Sequence, residues 1–231
     1  MPFGAREGFF DLHSFSCCAG YGIMGAHKSA RSDRKRKKGA FAMKAVETKR
    51  LALCGVCAAL TCVLAPFSIP IGQVPVSLAT FSVMLAAALL GGRLGALSQG
   101  IYLLLGCLGV PVFAGFAGGP GVLLGPTGGY LVGYLPLALL TGGVSRALGR
   151  GGRLQRAAAL VLGMVLGTAA LYAFGTAWYV VSAGVPLSAA LLTCVVPFLP
   201  GDAAKIAAVA LVAPQLERAL SRFGLLPKAA V

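Results

Sequence analysis

Acidic residues are scarce in this 231-residue chain, which has 6 Asp and Glu against 20 Lys and Arg and a formal net charge of +14. Between Thr48 and Leu216 the only acidic residue is Asp202. That stretch also lacks histidine, because the two histidines of the chain are His13 and His27. These absences exclude a histidine-based catalytic constellation and a carboxylate-rich magnesium site from that stretch.

Two further motifs are missing or incomplete. The chain has 33 glycines, but no Gly-Lys-Ser or Gly-Lys-Thr sequence, so we do not expect it to bind ATP by itself. Cys54 and Cys57 have the spacing of metal ligands, yet they lie in an apolar segment and no second pair with a histidine accompanies them. We therefore expect buried thiols that pack as small apolar groups, with no metal and no cofactor.

Apolar residues dominate what is present. Hydrophobic residues make up 58% of the chain and charged residues only 11%, a balance typical of an integral membrane protein. About 20 apolar residues cross the roughly 30 Å hydrocarbon layer as a helix. The apolar segments predict an all-α fold with six transmembrane helices, near 50–66, 77–92, 94–110, 127–148, 157–182 and 188–214.

The basic residues give this topology an orientation. They precede the first predicted span, follow the second, fourth and sixth, and are absent from the loops near 67–76, 111–126 and 183–187. The positive-inside rule then places both termini in the cytoplasm and those three loops on the outer face. A block of five consecutive basic residues at 34–38 indicates that residues 1–43 form a disordered basic N-terminal extension. Met43 makes an upstream misannotated start an alternative, and residues 44–231 form the predicted membrane domain.

The predicted outer loop at 111–126 is rich in glycine and proline. This composition prevents a continuous helix, and such backbone is tolerated at membrane depth only where protein or a water-filled cavity surrounds it. We expect the loop to lie over the bundle as a lid, with an ordinary exposed turn as the alternative.

Asp202 and Lys205 are the candidate functional pair. An ionisable residue at membrane depth costs about 2.5–3.5 kcal/mol on insertion scales, so it tends to line a cavity or contact a ligand. Their three-residue spacing places both on one helix face. The alternative is an ion pair that only packs the bundle.

Small residues spaced four apart occur at Gly55 and Ala59, at Gly91 and Gly95, and at Gly163 and Gly167. Such spacing lets two helices approach closely. Internal packing explains most of these pairs, but Gly55 and Ala59 are also the candidate docking face for another membrane subunit.

Three sequence motifs resemble the BioY family of biotin transporters. They are Ile69-Pro70-Ile71-Gly72-Gln73-Val74-Pro75-Val76-Ser77, the middle segment Gly109–Gly115 followed by Gly125–Tyr134, and Pro197-Phe198-Leu199-Pro200-Gly201-Asp202-x-x-Lys205. The resemblance runs from about Lys44 to Pro214. It implies a compact bundle of six helices that acts as the substrate-binding S component of an energy-coupling factor (ECF) vitamin transporter in the bacterial cytoplasmic membrane. It also implies three partners, which are a transmembrane coupling subunit and two cytoplasmic ATPases.

Biotin has a ureido ring with two N–H donors, an apolar thiophane ring and a carboxylate. With biotin as the expected ligand, Asp202 is expected to accept the ureido N–H groups and Lys205 to meet an oxygen. The further predicted ligand-binding residues are Phe113, Gly115, Phe116, Tyr130 and Trp178. For Trp178 a position in the interfacial aromatic belt is the alternative. Two alternatives stay open: an S component for a different vitamin, and an intramembrane enzyme that uses Asp202 and Lys205 as acid and base. We expect no enzymatic activity, because one carboxylate without a histidine, metal or second acid is a poor catalytic set.

Overall fold

The computed structural model of the chain describes residues 48–71 and 74–223, and it describes side-chain surroundings for these residues outside 69–76. The predicted basic extension at residues 1–43 lies outside the described residues, so it stays a prediction. The described elements are helix α1 (48–64), strands β1 (Ser68–Ile71) and β2 (Val74–Ser77), and helices α2 (Ala79–Leu90), α3 (Gly92–Cys107), α4 (Pro120–Leu124), α5 (Gly128–Leu148), α6 (Arg153–Ala183), α7 (Leu187–Cys194) and α8 (Leu199–Arg222).

Two of the described helices, α5 and α6, are long and apolar enough to cross a membrane. Helices α7 and α8 meet the same criterion as one broken span, with a bend of 48° between them, and α2 is a shorter apolar helix. These are criteria of length and composition, and they define a multi-pass helical membrane protein. The prediction of a single helix over 188–214 differs from the structure, which breaks this segment at residues 195–198.

Proline explains the break between α7 and α8. Pro197 lies inside the break, and Pro200 occupies the first turn of α8. Proline has no backbone N–H and its ring obstructs the preceding helical turn, so it favours the first turn of a helix, where Pro200 lies, and tends to kink or break a helix further along. The consequence is a new helix N-terminus at Leu199 within the last apolar segment, three residues before Asp202.

The predicted loop near 67–76 contains a short antiparallel hairpin, which the sequence did not predict. Strands β1 and β2 pair from Ser68 with Ser77 to Ile71 with Val74. Alternating β-branched residues favour the extended backbone, and the two prolines of the hairpin are tolerated because a two-stranded ribbon has free edges. The hairpin lies directly between α1 and α2.

Helices α5 and α6 form the most extensive helix pair. A Cβ atom added at Gly163 would lie 2.7 Å from the Thr141 carbonyl oxygen, and one at Gly167 would lie 2.8 Å from the Leu137 carbonyl oxygen. These distances are shorter than side chains tolerate, so both glycines are required for the close contact between the helices. This small-residue pair therefore serves internal packing.

Gly91 joins α2 to α3 with a backbone φ of +79°, a conformation that favours glycine. The Arg146 guanidinium from α5 donates a hydrogen bond to the Leu90 carbonyl oxygen at this junction. An added Cβ at Gly91 would collide with that guanidinium. A cation at the end of α2 also complements the negative end of the helix dipole.

Helix α1 is attached to the bundle by buried polar contacts. The Thr61 hydroxyl lies 2.8 Å from the Ser82 hydroxyl of α2, and the Gln99 amide of α3 donates to Thr61 at 3.4 Å. Elsewhere on α1, Gly55 and Ala59 are exposed, and no described atom lies within 4 Å of a Cβ added at Gly55. Gly55 thus has no packing partner among the described residues, and Ala59 lies on the same exposed face.

No continuous helix covers 111–126, as the glycine and proline content predicts. A single 3-10 turn spans Ala114–Phe116, and α4 follows it. The Gly115 N–H, at φ +71°, donates to the Pro66 carbonyl oxygen at 3.1 Å, and the Phe116 ring lies edge-on to Phe67 with centroids 6.0 Å apart. This segment is therefore attached to the turn that precedes the hairpin.

Candidate ligand-binding site

Asp202 lies in the first turn of α8, and only 4% of its surface is exposed. The helix N-terminus carries a partial positive charge, which stabilises a carboxylate in that position. The break in the last apolar segment therefore contributes to a favourable environment for a buried negative charge.

Lys205 follows one turn later and forms an ion pair with Asp202, with 3.0 Å between Nζ and Oδ1. The ammonium group also donates to the Ser77 carbonyl oxygen at 2.8 Å and to the Thr80 hydroxyl at 2.9 Å. A lysine has three N–H donors, and these contacts account for all of them. The predicted pairing of the two residues on one helix face is present, and elements distant in sequence complete it.

The Asp202 carboxylate has two further partners. Tyr172 of α6 donates its hydroxyl to Oδ2 at 2.6 Å, and Thr80 of α2 donates to Oδ1 at 3.4 Å. Thr80 therefore contacts both charged groups, as acceptor from Lys205 and donor to Asp202. Three helices and the end of the hairpin meet at this pair.

A cavity of about 40 Å³ opens beside the pair. Its lining residues are Ser77, Thr80, Tyr130, Tyr134, Leu171, Tyr172, Phe198, Asp202 and Lys205. Pockets that hold drug-sized ligands measure roughly 300–1,000 Å³, so a ligand of that size requires the walls of this cavity to move apart. Asp202 and Lys205 make one side of the cavity charged, and its other walls are mainly aromatic.

Among the residues that the sequence predicts to bind the ligand, the structure brings Asp202, Lys205 and Tyr130 together around the cavity. Tyr130 lies on α5, and its hydroxyl is 3.2 Å from the Thr176 hydroxyl. These three residues therefore belong to one site, although their contact with a ligand stays a prediction.

The other four predicted residues do not line this cavity. Phe113 is 1% exposed and packs edge-on against Tyr102, with centroids 5.6 Å apart, while Gly115 and Phe116 lie in the 3-10 turn and 62% of Phe116 is exposed. Trp178 is 41% exposed and donates its indole N–H to the Gly125 carbonyl oxygen at 2.9 Å. Their roles as ligand contacts stay predictions, and they depend on a larger site than the described cavity.

Sequence reasoning missed six of the lining residues: Ser77, Thr80, Tyr134, Leu171, Tyr172 and Phe198. One signal was available, because Tyr134 lies four residues after Tyr130 and hence on the same face of α5. Phe198 lies in the same motif as Asp202. For Thr80 and Tyr172 there was no local signal, since their place in the site depends on how α2 and α6 pack against α8.

The fold and the site together define a class, a multi-pass helical membrane protein with an internal cavity beside a buried charged pair. The chain belongs to the BioY family, whose sequence model matches residues 35–222. This confirms the family predicted from the three motifs.

Individual relatives cover most of the chain. A probable biotin transporter BioY of Pyrococcus horikoshii is 38% identical over 172 residues, which are 74% of this chain and 98% of that protein. The biotin transporter BioY of Thermotoga maritima is 37% identical over 171 residues, 74% of this chain and 96% of the relative. The crystal structure of an S-component for biotin from an ECF-type ABC transporter superposes with a TM-score of 0.66 at 28% identity, covering 74% of this chain and 92% of the other.

Proposed function

We propose that this protein is the substrate-binding membrane subunit of a biotin uptake transporter, which captures biotin from outside the cell for ATP-driven import by partner subunits. The observation that carries this proposal is the buried Asp202–Lys205 pair beside an aromatic-walled cavity. The pair lies in the last of the three motifs on which the family resemblance rests. Relatives that match three quarters of the chain are named as biotin transporters.

The chemistry of the cavity suits biotin. The ureido ring offers N–H donors, for which the Asp202 carboxylate is a strong acceptor, and Lys205 is a donor for an oxygen of the ligand. Tyr130, Tyr134 and Phe198 supply aromatic surface for the thiophane ring and the aliphatic chain. No cofactor and no covalent step are needed for this function.

Import requires partners, because the chain has no phosphate-binding loop for ATP. We propose a transmembrane coupling subunit and two cytoplasmic ATPases, with Gly55 and Ala59 of α1 as the docking face. The exposure of both residues supports this assignment, as does the empty space around a Cβ added at Gly55. Small residues on a membrane helix allow the backbone of a partner helix to approach closely.

In the proposed topology six helices cross the bacterial cytoplasmic membrane, with both termini in the cytoplasm. The spans are α1, α2, α3, α5, α6 and the broken pair α7 with α8. The positions of the basic residues support this orientation. Biotin is captured at the outer face, enclosed beneath the 111–126 loop and released after the subunit reorients against its coupling partner.

Mass spectrometry of the ligand that co-purifies with the detergent-solubilised protein tests the proposal. Unmodified biotin is the expected ligand, and a competition panel of other vitamins separates biotin from the alternative of a different S component. Failure of biotin to bind, with tight binding of another vitamin, would contradict the biotin assignment. Turnover of any ligand would favour the intramembrane enzyme, which the transporter names of the relatives do not support.

A further inference from the structure

In the charged pair, Lys205 uses all of its hydrogen-bond donors, whereas Asp202 keeps one acceptor position unused. Lys205 has three donors, and Ser77, Thr80 and Asp202 accept all of them. The two oxygens of an ionised carboxylate have about four acceptor positions. Lys205, Thr80 and Tyr172 occupy three of those on Asp202. Asp202 can therefore accept a further hydrogen bond without losing one that it already has. Lys205 can bind a ligand oxygen only in exchange for one of its present acceptors.

The two carboxylate oxygens have different partners. Lys205 and Thr80 both contact Oδ1, and Tyr172 is the described partner of Oδ2. Hydrogen bonds to an ionised carboxylate are stronger than those between neutral groups, so each of these partners helps to fix its orientation. The Tyr172 hydroxyl, 2.6 Å from Oδ2, holds that oxygen in place while Lys205 and Thr80 hold Oδ1, and so fixes the direction of the remaining acceptor position.

The backbone that carries Tyr172 is well anchored. Its neighbour Leu171 is 2% exposed and belongs to the hydrophobic core, and α6 packs extensively against α5. Tyr172 itself lines the cavity beside Asp202. The hydroxyl therefore reaches the carboxylate from an element other than α8.

We propose that Tyr172 is a positioning residue that determines ligand specificity: it orients Asp202 so that the site selects a group that donates N–H hydrogen bonds, such as a cyclic urea. This inference rests on the proposed function. It predicts that loss of the Tyr172 hydroxyl lowers the affinity for each ligand in proportion to the number of N–H hydrogen bonds that the ligand donates to Asp202. If Tyr172 only packed against its neighbours, its substitution would lower the affinity for all ligands of the same size equally.

Tyr172→Phe tests this proposal, because it removes the hydroxyl and keeps the ring. Tyr179→Phe is the matched control, since Tyr179 is a second buried tyrosine on α6 and does not line the cavity. Binding of biotin, and of two biotins each methylated at one ureido nitrogen, is measured by calorimetry on the wild type and both variants. Size-exclusion profiles and thermal unfolding check that each variant is folded.

We expect Tyr172→Phe to weaken biotin about tenfold, the lower end of the range for a hydrogen bond to a charged group. Affinity for at least one methylated analogue should change much less, so that discrimination between the two ligands shrinks. Tyr179→Phe should leave both affinities unchanged. Equal weakening of biotin and both analogues by Tyr172→Phe, or unchanged binding of biotin, would overturn the inference while the proposed function stands. Failure of the wild type to bind biotin would overturn the proposed function itself, and this inference with it.

Discussion

The ammonium group of Lys205 lies 2.8 Å from the carbonyl oxygen of Ser77, 128 positions earlier in the chain. A side chain of the last helix thus holds the backbone at the end of the β1–β2 hairpin. A ligand oxygen that binds Lys205 has to replace this carbonyl, the Thr80 hydroxyl or the Asp202 carboxylate. A ligand that replaced the Ser77 carbonyl would therefore release the end of the hairpin from α8.

Asp202→Asn should weaken biotin binding by about 1.5–3 kcal/mol, because the amide keeps the size of the side chain and loses the charge-assisted hydrogen bonds. Isothermal titration calorimetry on the purified protein measures this change. Glu217→Gln is the control, since Glu217 is an exposed carboxylate on the same helix. Unchanged affinity in a folded Asp202→Asn variant would show that the carboxylate does not bind the ligand.

Lys205→Met should lower thermal stability strongly, by about 3–5 kcal/mol, because it leaves Asp202 buried without its cation. The double variant Asp202→Asn, Lys205→Met removes both charges and should recover most of that stability. Thermal unfolding in detergent gives both values. The comparison measures what the ion pair contributes to folding alone.

The same double variant separates a structural ion pair from a ligand site. If the pair only packs the bundle, the stable double variant keeps wild-type affinity for biotin. If the pair binds the ligand, affinity stays low although stability returns. We expect the second result.

Gly55→Leu and Ala59→Leu should leave biotin binding to the isolated subunit unchanged and reduce biotin uptake by cells toward the level seen without the coupling subunits. The added side chains extend from an exposed face of α1, where no described atom lies within 4 Å of a Cβ at Gly55 and where a docked partner helix would meet them. Gly163→Leu is an informative comparison, because its side chain would collide with α5 and should impair folding. Biotin uptake at the wild-type level in both α1 variants would show that this face of α1 does not contact the coupling subunit.

Trp178→Phe should increase the mobility of the 120–127 segment, because it removes the indole N–H that bonds to the Gly125 carbonyl oxygen. The cost to stability should be about 0.5–1.5 kcal/mol, as for one ordinary hydrogen bond. Thermal unfolding measures this cost, with Tyr179→Phe as a control on the same helix. A variant as stable as the wild type, with an unchanged segment, would show that this bond does not hold the segment in place.

A spin label at Ala117 should lose mobility when biotin is added, if the 111–126 loop closes over the ligand. Gly121 is a second labelling position, because no described atom lies within 4 Å of a Cβ added there. Both labels require a background without the native cysteines. Identical mobility with and without saturating biotin would make the loop a static wall.

The positions of the helices were largely readable from the sequence. Each predicted apolar span contains a helix, because a membrane requires about 20 apolar residues and every backbone group must be hydrogen-bonded within its own segment. Pro197 and Pro200 indicate the break at 195–198, but the apolar composition of 188–214 predicts a single continuous helix there. The β1–β2 hairpin was missed, since its prolines are typical of a loop and its pairing depends on a second strand.

The small-residue pairs show what local spacing leaves undecided. Gly163 and Gly167 have the same spacing as Gly55 and Ala59. The glycine pair on α6 packs against α5, whereas the pair on α1 is exposed. Spacing along one helix determines which residues share a face. It does not determine which other helix that face meets.

The sequence by itself determined that this is a membrane protein of the BioY family, and that Asp202 and Lys205 share one face of a helix. Both follow from composition, motifs and spacing within a single segment. The tertiary structure alone decided that Ser77, Thr80 and Tyr172 complete the hydrogen bonds of that pair. The physical reason is that these residues come from three elements and lie up to 128 positions from the charged residue that they contact, so only tertiary packing brings their polar groups within 3 Å of the buried charges.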